Sequence, residues 1–589
     1  MVVTLSNALH PRLGHHLSLY PTFYTNEALA NSLEVPVKAN KQATSRTIAL
    51  RSIEEICTLG ESVIEPSSYS SIIESITLSK LESILNLTRF PNEYENFALP
   101  TLVAGCIELL SCVTPSPFAH EYGYRCFRTL IFALNACFLK FGDTLGETID
   151  LMQKAPPGQQ VLRFWDQCAS LASDEAIFHA MGGKIPEDFD SVRRRRWSIT
   201  WFDQEKLDKL LSILDTDRKN FLVAIRDTRS LGLSTLFFVL KQHVESKKPS
   251  MDETEYAEKA LLPYCRVFYR YQVVLPDLGF ERFASRALFT TDMTGLKDNI
   301  LIDMEDSRAI LKGYISSIQS PKTGYGGGAI FGDGLPLAFI VSHVVPGCED
   351  LIPDMFESTL QVLWNALLTG CDQQNLDFFV RHTMNKFCGI LNRLDAQVAH
   401  SRLIEHSWIF KLCDKIVAND VVGLILCSTL RKSTPDADDL DYGWQDLDGW
   451  SSTRQFLTLT WFLPLNYLSR RIIKSGALHD WWKYFTHLGA LAPGGLQLGP
   501  TNPKFSMEGF TAQLIPRICL DLLGTRLEDS VSTFEERGQM CKNPRCPAPF
   551  GSALTSSLRT QKAWTDSPYC DWSCMETHRE TVSRANVRR

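Results

Sequence analysis

Apolar residues recur along this chain at the spacing of a helix and almost nowhere at the spacing of a strand. Leu207, Leu210, Leu211 and Leu214 fall at i, i+3, i+4 and i+7, which puts all four on one helical face. The same template fits Leu360, Leu363, Trp364 and Leu367, with Gly370 placed to end the helix. It fits Phe387, Ile390, Leu391 and Leu394, and again Ile515, Ile518, Cys519 and Leu522, where Pro516 sits in a first turn and Gly524 follows the last. Only "RVFYRYQVVL" (266–275) is ambiguous between helix and strand. Amphipathic helices in series without strands between them predict an all-α body of packed helix pairs. An irregular helical fold and an armadillo/HEAT-like stack both satisfy this pattern. Neither the tetratricopeptide nor the ankyrin signature is present.

A chain of 589 residues has ample length for several cores. Breaks fall at the Gly-rich stretch 320–336, the acidic stretch 433–450 and the Pro/Gly connection 492–505. The last domain boundary is placed after these, giving a helical body over 1–535, divisible near 320–336 and 433–450, and a small segment over 536–589. The apolar run "TLIFALNACFL" (129–139) is too short to span a bilayer and reads as a buried helix. The opening "MVVTLSNALHPRLGHH" lacks a basic start followed by an apolar run, so no secretory signal is expected. A net charge of −7 gives no overall attraction to nucleic acid or to an anionic membrane. These features predict an intracellular protein with no membrane contact.

Several motifs fail on their own spacing. The glycines of 320–336 do not meet the n, n+2, n+5 requirement of a dinucleotide loop, and no Gly-Lys-Ser/Thr ending exists for a P-loop. The acidic stretch misses the EF-hand register, because Leu440 occupies the fifth position counted from Asp436. "RRRRW" (193–197) fits the exposed start of a helix as well as an import signal, and "HDWWKYF" (479–485) reads as core. Neither Gly-x-Ser-x-Gly nor His-Glu-x-x-His occurs. No enzymatic activity is expected.

Of the 17 cysteines, thirteen are scattered singly, as Cys106, Cys137 and Cys427 are within apolar segments. There a free cysteine acts as a small hydrophobe. The other four form two close pairs, Cys541/Cys546 and Cys570/Cys574, among Pro, Ser, Asp, Lys and Arg. Pro544 and Pro547 bend the first pair, and a helix through "CDWSCMETHRE" places the second pair on one face a turn apart. Two pairs so spaced can supply four thiolates to one zinc ion. From residue 541 onward large apolar residues are few, so metal binding would have to supply the folding free energy.

The segment "CKNPRCP…YCDWSCMETHRE" resembles the MYND-type zinc finger, particularly the form that ends fungal proteins with long helical N-terminal regions. That family has a first Cys pair, a second Cys pair, Tyr-Cys-x3-Cys and a late His and Cys, holding two zinc ions in an interleaved manner. Cys541 and Cys546 match the first pair, and Tyr569-Cys570-x3-Cys574 the third. The second pair is missing, His578 falls too early for the late ligand, and no cysteine follows it. The resemblance therefore implies one complete four-thiolate site, and the loss of the whole of the other. It also implies a protein-interaction module, since such fingers bind short proline-containing peptides and some sit in transcriptional regulators. Other members are SET-type lysine methyltransferases, but the Asn-His-x-Cys of that domain is absent. Nucleic acid is not an expected partner. The tail from Cys541 carries eight Lys/Arg and four Asp/Glu, and four thiolates around Zn²⁺ reduce that surplus to about +2.

Overall fold

The computed structural model describes residues 9–24, 39–61, 66–156, 159–180, 202–275, 279–288, 302–319, 334–369, 376–397, 403–430 and 451–475. Among them every regular element is a helix, and the only β-type pairings are two isolated bridges, His10 to Gly14 and His16 to His120. The all-α expectation holds for these residues. No helix among them is long and apolar enough to cross a membrane.

The chain divides into two compact units, Met1–Tyr325 and Gly326–Arg589. In the first, helix Glu121–Phe141 is the central element. Every residue from Thr129 to Leu139 is buried, which accounts for an apolar run too short for a bilayer. Helices Leu78–Leu87, Pro100–Ser111, Leu145–Lys154, Gln160–Ala180 and Leu233–Lys247 pack around it. Aromatic rings interlock around it: Phe132 stacks on Phe164 at 4.8 Å, Phe138 meets Phe238 at 5.5 Å, and Phe127 meets Phe221 of helix Arg218–Thr228 at 5.6 Å. Edge-to-face and offset pairs at these separations add roughly 0.5–1.5 kcal/mol each to area burial.

Helix Gln204–Thr216 shows how directly the periodic pattern sets packing. Leu207, Leu210, Leu211 and Leu214 are all buried, and Asp203 caps the start by accepting the Glu205 N–H at 2.9 Å. The ambiguous stretch 266–275 is helical through Val273, within helix Leu262–Val273. It lacks a polar face because Val267, Phe268, Tyr269, Arg270 and Tyr271 are all buried, so no periodicity marks it.

In the second unit, helix Leu376–Gln397 packs on Gly334–His343 and Ser451–Thr460, and helix Ser407–Ala418 packs on Ile352–Thr369 and Leu465–Ser475. Phe387, Ile390, Leu391 and Leu394 form its fully buried stripe. Leu360, Leu363 and Leu367 are buried on Ile352–Thr369, while half-buried Trp364 donates its indole N–H to the Asn419 carbonyl at 2.6 Å.

Candidate functional site

Cys541, Cys546, Cys570, Cys574 and His578 lie outside the described residues, as do 193–197, 433–450 and 479–485. Among the described residues no group of three or more His, Cys, Asp or Glu is arranged to hold a metal ion. The body cysteines there behave as hydrophobes: of eleven free thiols, eight are buried, Cys112 is exposed, and Cys57 and Cys427 are half-buried. Burial pushes the thiols of Cys265, Cys388 and Cys413 up to about 12, far from the thiolate form that reacts or binds metal.

What the fold does assemble is a set of buried polar nodes. Glu281 is 1% exposed, and its carboxylate accepts the Gly232 N–H at 2.6 Å, the Tyr271 hydroxyl at 2.5 Å and the Ser234 hydroxyl. Asn135 on the central helix reaches the same junction, donating to the Gly232 carbonyl at 2.8 Å and accepting from Thr235 at 2.7 Å. Asp217 accepts from Ser116, the Phe118 N–H and Asn220, joining the 116–119 turn to helix Arg218–Thr228. Burial nonetheless leaves the Asp217 carboxyl above its ordinary range. Glu108 accepts from Lys206, Lys209 and Tyr69. Although burial alone would raise the Glu108 carboxyl, these partners hold it below the usual range.

Among the described residues the nearest thing to a catalytic pairing is His243 with Asp208, at 2.8 Å from Nε2. The ring is fully buried and its Nδ1 faces the Gln204 side-chain oxygen at 2.5 Å. With both nitrogens engaged inside the protein, neither is free to take a proton from a bound molecule. Burial lowers the imidazole pKa despite the neighbouring carboxylate. The pair joins helix Gln204–Thr216 to helix Leu233–Lys247.

No family model, no curated protein and no solved structure matches this chain.

The nodes escape sequence reading because their members stand far apart: Glu281 meets partners 47 and 49 residues before it. One local signal existed. In helix Gly279–Leu288 the buried face is Glu281, Ala284, Ser285 and Leu288, an i, i+3, i+4, i+7 stripe that begins with a carboxylate. A charged residue leading an otherwise core-facing stripe implies donors waiting inside. Replacing it by alanine leaves those donors without their acceptor, at a cost of roughly 1–3 kcal/mol for a buried group. Glu281→Ala is expected to lower unfolding stability in urea by about 2 kcal/mol. Glu305→Ala, which removes one of the two exposed carboxylates paired with Lys219, is expected to change it by less than about 1 kcal/mol. Equal effects would mean that the Glu281 node is not load-sharing.

Proposed function

We propose that this chain is a non-enzymatic helical scaffold that binds a protein partner, and that residues 536–589 form a finger folded around one zinc ion. Cys541, Cys546, Cys570 and Cys574 are the ligands, and a proline-containing peptide is the class of partner. The observation that carries the reading is the pairing itself: two short Cys spacings with 23 residues between them, in a segment too poor in apolar residues for a core. The body supports it by contrast, since its thiols are mostly buried one at a time. The saturated carboxylate nodes are cross-links between helices, as a rigid scaffold requires. We read that scaffold as irregular rather than armadillo/HEAT-like. A stacked repeat touches only its neighbours, whereas helix Gln160–Ala180 packs on Gly279–Leu288, with four α-helices longer than a turn among the described residues between them.

Elemental analysis of metal-stripped protein reconstituted with zinc is expected to give one ion per chain, and full-length protein is expected to retain proline-containing peptides that a chain ending before Gln539 loses. Two ions, or none, would overturn the single-site finger. Equal peptide retention by both chains would overturn the finger as the binding module.

A further inference from the structure

Residues 9–24 form a strap across the start of the central helix. Three backbone bonds stitch it down: Leu17 N–H to the Ala119 carbonyl at 2.8 Å, Glu121 N–H to His15 at 2.8 Å and Tyr122 N–H to Leu13 at 3.0 Å. Its own Tyr20 is fully buried, stacked on Tyr124 at 5.1 Å and donating its hydroxyl to the Phe118 carbonyl at 2.7 Å. The strap can lie this close because Gly14 has φ +76, and a Cβ there would come within 2.7 Å of the Glu121 carboxylate.

Three imidazoles meet at this seam. His120 lies in the middle of the stitching, with its ring 5.9 Å from that of His10 and 5.8 Å from that of His16. His10 Nδ1 accepts the backbone N–H of Leu13 at 2.9 Å and of Arg12 at 3.3 Å, and His16 Nδ1 accepts that of Ser18 at 3.3 Å. An imidazole accepts at Nδ1 only when neutral, because the protonated ring donates from both nitrogens. His120 Nδ1 is buried with no hydrogen-bond partner, so a proton placed there has no acceptor.

We propose that residues 9–24 are an acid-released latch, held closed by neutral His10, His16 and His120 and opened when these rings are protonated. Protonation removes the acceptors that shape both turns of the strap and sets like charges against one another at the seam. Apart from the Ser18 hydroxyl, 3.4 Å from His16 Nδ1 and able to accept from it, the groups facing the seam do not offset this. The Glu121 carboxylate is occupied by the His15 N–H at 3.1 Å, the Tyr24 hydroxyl at 2.7 Å and Arg125 at 2.6 Å. Glu82 is engaged by Arg125, and Asp217 by Ser116, the Phe118 N–H and Asn220. Arg12 and Arg125 add positive charge from the strap and from the central helix, donating to the Ile73 and Leu78 carbonyls. Tyr122 and the His15 ring, 5.2 Å from that of Phe23, complete the surroundings and supply no anion.

The sign follows from where the proton binds more weakly. Burial, then the two neighbouring imidazoles, hold His120 below the ordinary histidine range in the closed state. The open state therefore binds protons more readily. Closure is at full strength above the free imidazole value of about 6.5 and is lost as pH falls below it.

Hydrogen–deuterium exchange of the full chain at pH 7.5 and 5.5, corrected for intrinsic exchange, tests this directly. Protection of peptides covering 9–24 and 119–122 is expected to fall at least tenfold at pH 5.5, while that of helix Leu376–Gln397 is unchanged. The triple variant His10→Asn, His16→Asn, His120→Asn keeps a side-chain oxygen acceptor without a titrating ring, and is expected to stay protected at both values. Protection independent of pH in the natural chain, or an undiminished loss in the triple variant, would overturn the latch. Should the triple variant be unprotected at pH 7.5, imidazole NMR titration of the natural chain decides the matter. Ring protonation at the opening midpoint supports the latch, and a midpoint outside the titration of all three rings refutes it.

Discussion

Gly105→Ala is expected to prevent helix Ala39–Leu59 from closing on helix Pro100–Ser111. A Cβ at this position would stand 1.9 Å from the backbone carbonyl oxygen of Ile56 and 2.8 Å from its side chain. Real Cβ contacts do not fall below about 3 Å, and the obstacle is main chain held by helical hydrogen bonds, so no rotamer change relieves it. The helices must part by roughly 1 Å, which loosens a seam containing Ile53, Ile56, Leu102, Cys106 and Leu109, all now buried. Alanine's better helix propensity recovers at most about 1 kcal/mol. Overpacking of this kind typically costs 1–3 kcal/mol and here exceeds that range, because backbone rather than side chain must yield. A loss of about 4 kcal/mol in urea unfolding is the expected result, with Cys106 becoming reactive to thiol reagents in the native-state baseline. A variant with unchanged stability and a protected Cys106 would show that the two helices do not approach this closely.

Cys570→Ser should have a larger effect still, confined to one end of the chain. Structural zinc sites contribute on the order of 10–16 kcal/mol to the folding of their segments. Serine lacks a thiolate at neutral pH and leaves three of the four proposed sulfur ligands, so if the proposed site forms, the zinc content is expected to drop from one ion per chain to none. Thermal melting of the body, followed by circular dichroism, is expected to be unchanged, since the segment adds little apolar surface. His578 stands four residues after Cys574 and is proposed to hydrogen-bond a ligand rather than bind the ion, so His578→Ala should retain zinc. Metal lost in His578→Ala but kept in Cys570→Ser would exchange the two roles.

The parts of the fold legible in sequence are those where a helix has one wet face. Leu207 to Leu214 and Phe387 to Leu394 show their stripes because Asp208, Lys209, Ser212, Asn392 and Arg393 stand between the stripe positions, and all eight stripe residues are buried. Legibility fails where that contrast disappears. Helix Leu262–Val273 buries tyrosines and Arg270 alongside valine and phenylalanine, so its sequence is as consistent with a strand as with a helix. The strap fails for a different reason: "HPRLGHH" has no period at all, and its place is set by backbone bonds to residues about a hundred positions away. Glu281 is intermediate, since its stripe announces a buried carboxylate but not the three donors that meet it. The proposed zinc ligands are legible as a spacing only, and lie outside the described residues.

The burial of every residue from Thr129 to Leu139 on the central helix also bears on the order in which the chain is made. Segments that cover residues 129–139 come from both sides in sequence: Leu78–Leu87 and Pro100–Ser111 precede it, whereas Gln160–Ala180 and Leu233–Lys247 follow. On a ribosome the earlier half of its cover is available at once, but Phe238, which meets Phe138, is made a hundred residues later. At roughly 5–20 residues per second, this interval lasts about 5–20 s. During it a nascent chain carries one of its most apolar stretches, the one on which the first unit is later built, only partly sheltered.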